Sequence, residues 1–146
     1  MRAMTLDRLT SLARRLSDVP LPLPEGMHAR LGCDAVGMPA ELGRQVMGRM
    51  SRVGCVYATG DRWWWIVPSH SQQSLDWPEP VRYAARALVP ASSGGAQLIH
   101  LPRRDAPYTP PIPLYLTLCR ITRTVPVWMR PAQAEGVRDT GGVGGF

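Results

Sequence analysis

Three consecutive tryptophans, Trp63-Trp64-Trp65, follow Arg62 and run into Ile66-Val67. Side chains alternate between faces along a β-strand. If Trp64 points into a core, Trp63 and Trp65 share the opposite face. Two indoles beside a guanidinium would form a stacking platform for unpaired bases or another flat ligand. The competing arrangement has helices over both faces, or the rings packed with Trp77 under the 69–80 loop, and burial is the common fate of large aromatics. A second chemical feature is Arg103-Arg104-Asp105, in a loop after a strand. Guanidinium groups grip phosphate or carboxylate oxygens in bidentate fashion. The alternative there is a solvated loop tip with a local ion pair, which contributes little. The candidate binding set is therefore Arg62, Trp63, Trp65, Arg103 and Arg104.

Catalytic signals are sparse. The histidines are His28, His70 and His100, without HxH or HxxxH spacing, so no metal centre is indicated. Ser69-His70-Ser71 and Asp76 can be drawn as a hydrolytic set, but the chain lacks a GxSxG elbow. His100 sits in an apolar strand, LIHLP, which favours a core or edge position. The seven Asp and four Glu form no DxD, ExxE or DxE pair for two-metal or paired acid/base chemistry. Neither GxxxxGK[ST] nor GxGxxG occurs, and the glycines of GGVGGF end the chain with no helix after them to hold a phosphate. No cofactor and no catalytic residue is expected. An enzyme of unknown class using His70 or His100 is the third reading, behind two binding roles.

The elements that must position these residues read as follows. Leu6, Leu9, Ala13 and Leu16 fall at helical spacing, with Thr5 as a cap, so the first helix spans 5–16. PLPLPE is extended and polyproline-like, a stiff connector. Leu31–Val36 is a short strand. MPAELGRQVMGRM is a second helix with Pro39 at its first position and Glu41 in its first turn. Gly43 and Gly48 weaken it by roughly 1 kcal/mol each unless a close neighbour uses the space. Cys55–Thr59 and Trp63–Val67 are the clearest strands, joined by a Gly60-Asp61 turn. Residues 69–80 are a polar loop, Tyr83–Val89 and Gln97–Leu101 are further strands joined by ASSGG, and 102–111 is a proline-rich loop. Ile112–Ile121 is a third helix with Leu114, Leu118 and Ile121 on one face. The order of elements gives an α+β domain over 1–129, with an antiparallel sheet of about four or five strands, three helices on one side and a disordered Gly-rich tail over 130–146.

The 146 residues suffice for one domain with a core, and 45% hydrophobic against 19% charged residues is a globular balance. No apolar run approaches the length of a membrane span. Met1 to Leu16 is interrupted by Arg and Asp, unlike a secretory signal. It is Arg-rich like an organellar transit peptide, but Asp7 and Asp18 argue against one. Cys33, Cys55 and Cys119 are odd in number and widely spaced, as reduced, buried small hydrophobes would be. These features predict a cytoplasmic protein without a membrane partner. The net charge is +6, and all 17 basic residues are arginine. A GC-rich genome explains the arginine bias, and the charge is spread along the chain. A diffuse positive field favours weak association with single-stranded nucleic acid or an acidic protein partner.

At CDAVGMPAELGRQVMGRM, GDRWWWIVPSHS and LIHLP…PYTPPIPLYLTLCR the chain resembles short proteins from high-GC actinobacteria, from about Leu23 to Trp128. A fainter similarity, carried by the CDAV strand, the PxxLG helix and the hairpin ending in VP, is to the amino-terminal domain of bifunctional primase/polymerases. That resemblance implies the archaeo-eukaryotic primase fold, whose catalysis needs an acidic pair on one strand, a histidine motif and a third acid. Here Asp34 stands alone, with no second acid two residues on and no histidine in the expected context. The resemblance therefore implies a catalytically dead relative kept for binding, of a kind encoded on mobile elements. The expected function is a non-catalytic accessory factor that weakly binds nucleic acid or a nucleoprotein complex. The alternative is a protein–protein module using an exposed Trp/Pro surface.

Overall fold

An interior strand of the sheet, β2 (Asp34–Pro39), is buried from Asp34 through Met38. A run of that kind needs cover on both faces. The computed structural model describes residues 18–72, 75–92 and 94–131, and it supplies that cover from two different sources. The sheet has five strands in the order β5-β2-β4-β3-β7, with β3 at Val56–Thr59, β4 at Arg62–Val67, β5 at Arg82–Ala84 and β7 at Gln97–His100. Every neighbouring pair is antiparallel. A separate ribbon pairs β1 (Asp18–Pro20) with β6 (Leu88–Pro90). The protein is thus an α+β fold with antiparallel sheets of five and two strands.

Two α-helices are present among the described residues, α1 (Ala40–Met47) and α2 (Pro111–Thr122). The helix expected over Thr5–Leu16 and the tail beyond Pro131 lie outside the described residues. Both helices pack on one face of the sheet. Leu42 and Val46 of α1 meet Leu114 and Leu118 of α2 over Val36, Met38, Val56, Trp65 and Val67. Each fully buried aliphatic here contributes roughly 1.5–3 kcal/mol. Pro39 is both the last residue of β2 and the N-cap of α1, so the strand runs into the helix with no loop. Gly43 has the close neighbour that offsets its cost. A Cβ there would lie 2.6 Å from the Trp63 ring, whereas one on Gly48 would meet only carbonyl oxygens of its own helix at 3.7 Å.

The opposite face carries Ala35, Cys55, Tyr57, Trp64 and Ile66, covered by Leu21, Ala87 and Val89, with Leu23 and Met27 packed alongside. The proline-rich stretch is therefore more than a spacer. Leu21 is buried, and the Tyr57 hydroxyl donates to the Pro22 carbonyl.

Two strand boundaries differ from the sequence reading. The strand expected over Leu31–Val36 starts only at Asp34 and extends to Pro39, because Gly32 turns the chain at φ +73° and Leu31 is exposed. The single strand expected over Tyr83–Val89 is broken in two by a 3-10 turn at Ala85–Ala87, where Arg86 and Ala87 have φ of 58° and 54°. The turn hands the chain from the large sheet to the β1–β6 ribbon. By contrast, β3, the Gly60-Asp61 turn with Gly60 at φ +63°, β4, β7 and α2 lie within a residue or so of their expected positions. Among the described residues no helix is long and apolar enough to cross a membrane.

Candidate functional site

The tryptophan triplet is the first test of the sequence reading. Alternation holds: Trp63, Trp65 and Val67 pack with one core cluster and Trp64 and Ile66 with the other. Both faces are covered, so of the two arrangements considered for Trp63 and Trp65 the packed one is present and the open platform is not. Trp65 is 0% exposed beneath the helices, and its indole nitrogen is buried without a hydrogen-bond partner among the described residues. Trp63 is half-buried against Gly43, with the guanidinium of Arg44, not of Arg62, 5.9 Å from its ring centroid. Trp64 is 3% exposed; it lies over Gly37, where a Cβ would come within 2.4 Å of the indole, and donates from Nε1 to Thr59 Oγ1 at 2.9 Å. Missing Cβ atoms thus make the slots that two of the three rings occupy.

The five predicted residues do not converge. Arg62 opens β4 beside the hairpin turn, opposite Thr59 and Pro39. Arg103 and Arg104 follow β7, whose Gln97 lies opposite Ala58 and whose His100 lies opposite Val56. The chain therefore reaches Arg103 only after running away from the hairpin turn. Arg62 stands at the hairpin end of the middle strand and Arg103 and Arg104 lie beyond the far end of the edge strand β7, and each group lines a separate concavity.

At the β5 edge a concavity of about 780 Å³ is bounded by Arg62, Arg82 and Arg86, with Trp64 and Tyr83 in its wall and Asp18 as its one carboxylate among the described residues. Arg62 also borders the adjoining hollow beside Glu79 and Pro80. Its Nη1 is buried and has no hydrogen-bond partner among the described residues, a costly state for a charged donor. Asp34 holds this wall in place. Although 4% exposed, it is fully engaged: Oδ2 accepts from the Tyr83 hydroxyl at 2.5 Å and from the His70 backbone N–H at 2.9 Å, and Oδ1 accepts from the Arg86 N–H at 2.8 Å. Burial, then the hydrogen bond to Asp34, push the Tyr83 hydroxyl pKa well above its ordinary value. The lone acid of CDAV is a junction joining three segments.

At the β7 end a concavity of about 420 Å³ is lined by Arg52, Arg103, Arg104, His100 and Tyr108. Among the described residues no carboxylate lines it. The ion pairs among the described residues are His28–Asp105 at 3.9 Å and Arg130–Asp76 at 2.9 Å, so Asp105 does not neutralise the arginines beside it. His100 Nδ1 bonds the Gly54 carbonyl at 2.8 Å, which leaves Nε2 as the other ring nitrogen. Gly54 is where backbone meets backbone. A Cβ there would stand 2.1 Å from the Pro107 carbonyl oxygen, and its N–H donates to the buried Thr109 hydroxyl at 2.8 Å. Arg52 belongs to this site but was missed from the sequence, because nothing local links it to residues 50 positions on.

The hydrolytic set does not assemble. Asp76 is engaged by Arg130, and His70 reaches Asp34 through its backbone. No group of three or more metal-ligating side chains comes together among the described residues. All three cysteines are free thiols. Desolvation raises each of them, with Cys55 pushed up to about 11, the reverse of an activated nucleophile. No family model matches the chain, and the searches of curated proteins and of solved structures return no match.

Proposed function

We propose that the protein is a non-catalytic accessory factor that holds nucleic acid by its phosphates at the β5 edge. The observation that supports this reading is the concavity in which, among the described residues, Arg62, Arg82 and Arg86 face one carboxylate. Phosphate oxygens accept bidentate contacts from guanidinium groups, and three of these border the concavity. With Trp63 and Trp65 covered, base stacking has no surface here. Contact is then to the backbone, weak and indifferent to sequence. The similarity to primase/polymerases, with its lone acid, fits a relative that binds without catalysis.

The test is anisotropy of a labelled single-stranded oligonucleotide titrated with the protein at several salt concentrations. Three phosphate contacts predict a slope of log affinity on log salt of about −2. Combined replacement of Arg62, Arg82 and Arg86 by alanine should abolish that slope, with the melting curve as a control for folding. Binding by this variant with an unchanged slope would remove the reading. A protein-binding role rests on different residues, at the other edge of the sheet, where Leu98, Ile99 and Leu101 are exposed.

A further inference from the structure

Strand β7 closes the five-stranded sheet on one side, and its outer edge is unpaired among the described residues. Natural edges are usually guarded by charge, by proline or by a covering segment. This one, Gln97-Leu98-Ile99-His100, carries no formal charge apart from the titratable histidine. A bulge between Val56 and Tyr57 on the pairing side sets Leu98 and His100 opposite adjacent residues of β3, with Ile99 as the extra residue. The aliphatic neighbours therefore both reach solvent: Leu98 and Ile99 are each 40% exposed, and Leu101 is 55% exposed. Immediately beyond His100 the chain enters the concavity of Arg52, Arg103 and Arg104, which no carboxylate lines among the described residues. An apolar strand edge and an unneutralised cationic hollow lie end to end.

We propose that β7 is the docking site for an extended acidic–aliphatic peptide segment of a protein partner, added as a sixth strand. The aliphatic residues of the segment would cover Leu98, Ile99 and Leu101, while its main chain pairs with the outer edge of β7. Its acidic residues would overhang into the arginine hollow, where charge complementarity sets both register and partner choice. Every pairing in the sheet is antiparallel, and an antiparallel guest places its acidic residues before its aliphatic run. This site is independent of the β5 edge, and shares no lining residue with it.

The full chain would be titrated against a labelled peptide of sequence Glu-Glu-Val-Thr-Val-Thr-Val, with melting curves recorded for every variant. Saturable binding is expected. The double reversal Arg103→Glu with Arg104→Glu should weaken it about tenfold or more, equivalent to about 1.4 kcal/mol. Leu98→Lys with Ile99→Lys should weaken it comparably, and these exposed residues can change without loss of the fold. A peptide with lysines for glutamates, and one N-methylated along its main chain, should both fail to bind. Equal binding of the lysine peptide would overturn the charge argument, and equal binding of the N-methylated peptide would overturn strand addition. Concentration-dependent dimerisation abolished by the Leu98→Lys and Ile99→Lys pair, with no peptide binding, would give the edge to a second copy and overturn the proposal. Competition by an oligonucleotide that survives Arg62, Arg82 and Arg86 replacement would assign the hollow to phosphate instead.

Discussion

The two edges of the large sheet are built on opposite plans. At β5 the strand is three residues long, begins with an exposed arginine, and is pulled away from the sheet at once by left-handed backbone at Arg86 and Ala87. Charge and early departure both blunt such an edge. At β7 the side chains are aliphatic, and the bulge that interrupts the ladder turns them outward. The first edge is held by a carboxylate, the second by a backbone contact at a glycine. Positive charge accompanies both edges, but only at β7 does it lie end to end with a run of exposed aliphatic residues, Leu98, Ile99 and Leu101. The contrast separates a site suited to a polyanion from one suited to an amphipathic strand.

The largest effect should come from breaking the junction at the β5 edge. Asp34→Ala leaves two backbone N–H groups and the Tyr83 hydroxyl without their acceptor, at a cost on the order of 3–5 kcal/mol. Urea denaturation would measure it. Hydrogen exchange should show Arg86 and His70 losing protection before β7 does. Gly54→Ala is the matching experiment at the other edge. Its new Cβ meets backbone at Pro107 and Tyr108 rather than a flexible side chain, so the loop must shift, at about 3 kcal/mol. Peptide binding at β7 should fall while the salt-dependent binding of oligonucleotide persists.

A smaller effect sharpens the comparison through pH. The Cys55 thiol is held neutral in the folded state, at about 11 against an ordinary 9.0, chiefly by burial. A group with a raised folded value binds its proton more tightly in the native state. Its contribution is therefore complete below pH 9 and is lost as pH rises from 9 towards 11. Denaturant midpoints should fall across that range, and Cys55→Ala should flatten the slope. Tyr57 and Tyr83, raised above the ordinary tyrosine value by burial, act in the same direction at higher pH. The smallest change is expected from Leu98→Lys with Ile99→Lys. Both positions are exposed, so stability should move by no more than about 0.5 kcal/mol, measured by thermal melting.

Local chemistry made much of this architecture readable. Gly60-Asp61 between two apolar runs identified the hairpin, and the spacing of Leu114, Leu118 and Ile121 identified α2. Alternation also sorted the three indoles correctly into two sets. It could not say which face was roofed, because that depends on where α1 and α2 return, and so an open platform and a covered one both remained for Trp63 and Trp65. The split of Tyr83–Val89 was hidden for a related reason. Arg86 and Ala87 are not glycines, and their left-handed backbone accompanies a hydrogen bond to a carboxylate 52 residues earlier. The signal for Asp34 was present all the same: a single acid at the head of an apolar strand must find several donors if it is to be buried. Arg103 and Arg104 were legible as cations in a loop, but the hollow they share with Arg52 exists only once Gly54 has met Pro107.

The ribbon that pairs Asp18–Pro20 with Leu88–Pro90 brings together stretches about seventy positions apart. During synthesis the earlier of the two leaves the ribosome long before its mate exists. Leu21, which seals the second face by bonding through its N–H to the Ala87 carbonyl, must wait with it. What is made first therefore docks late, and the face over Trp64 and Ile66 stays open until the chain has passed residue 90.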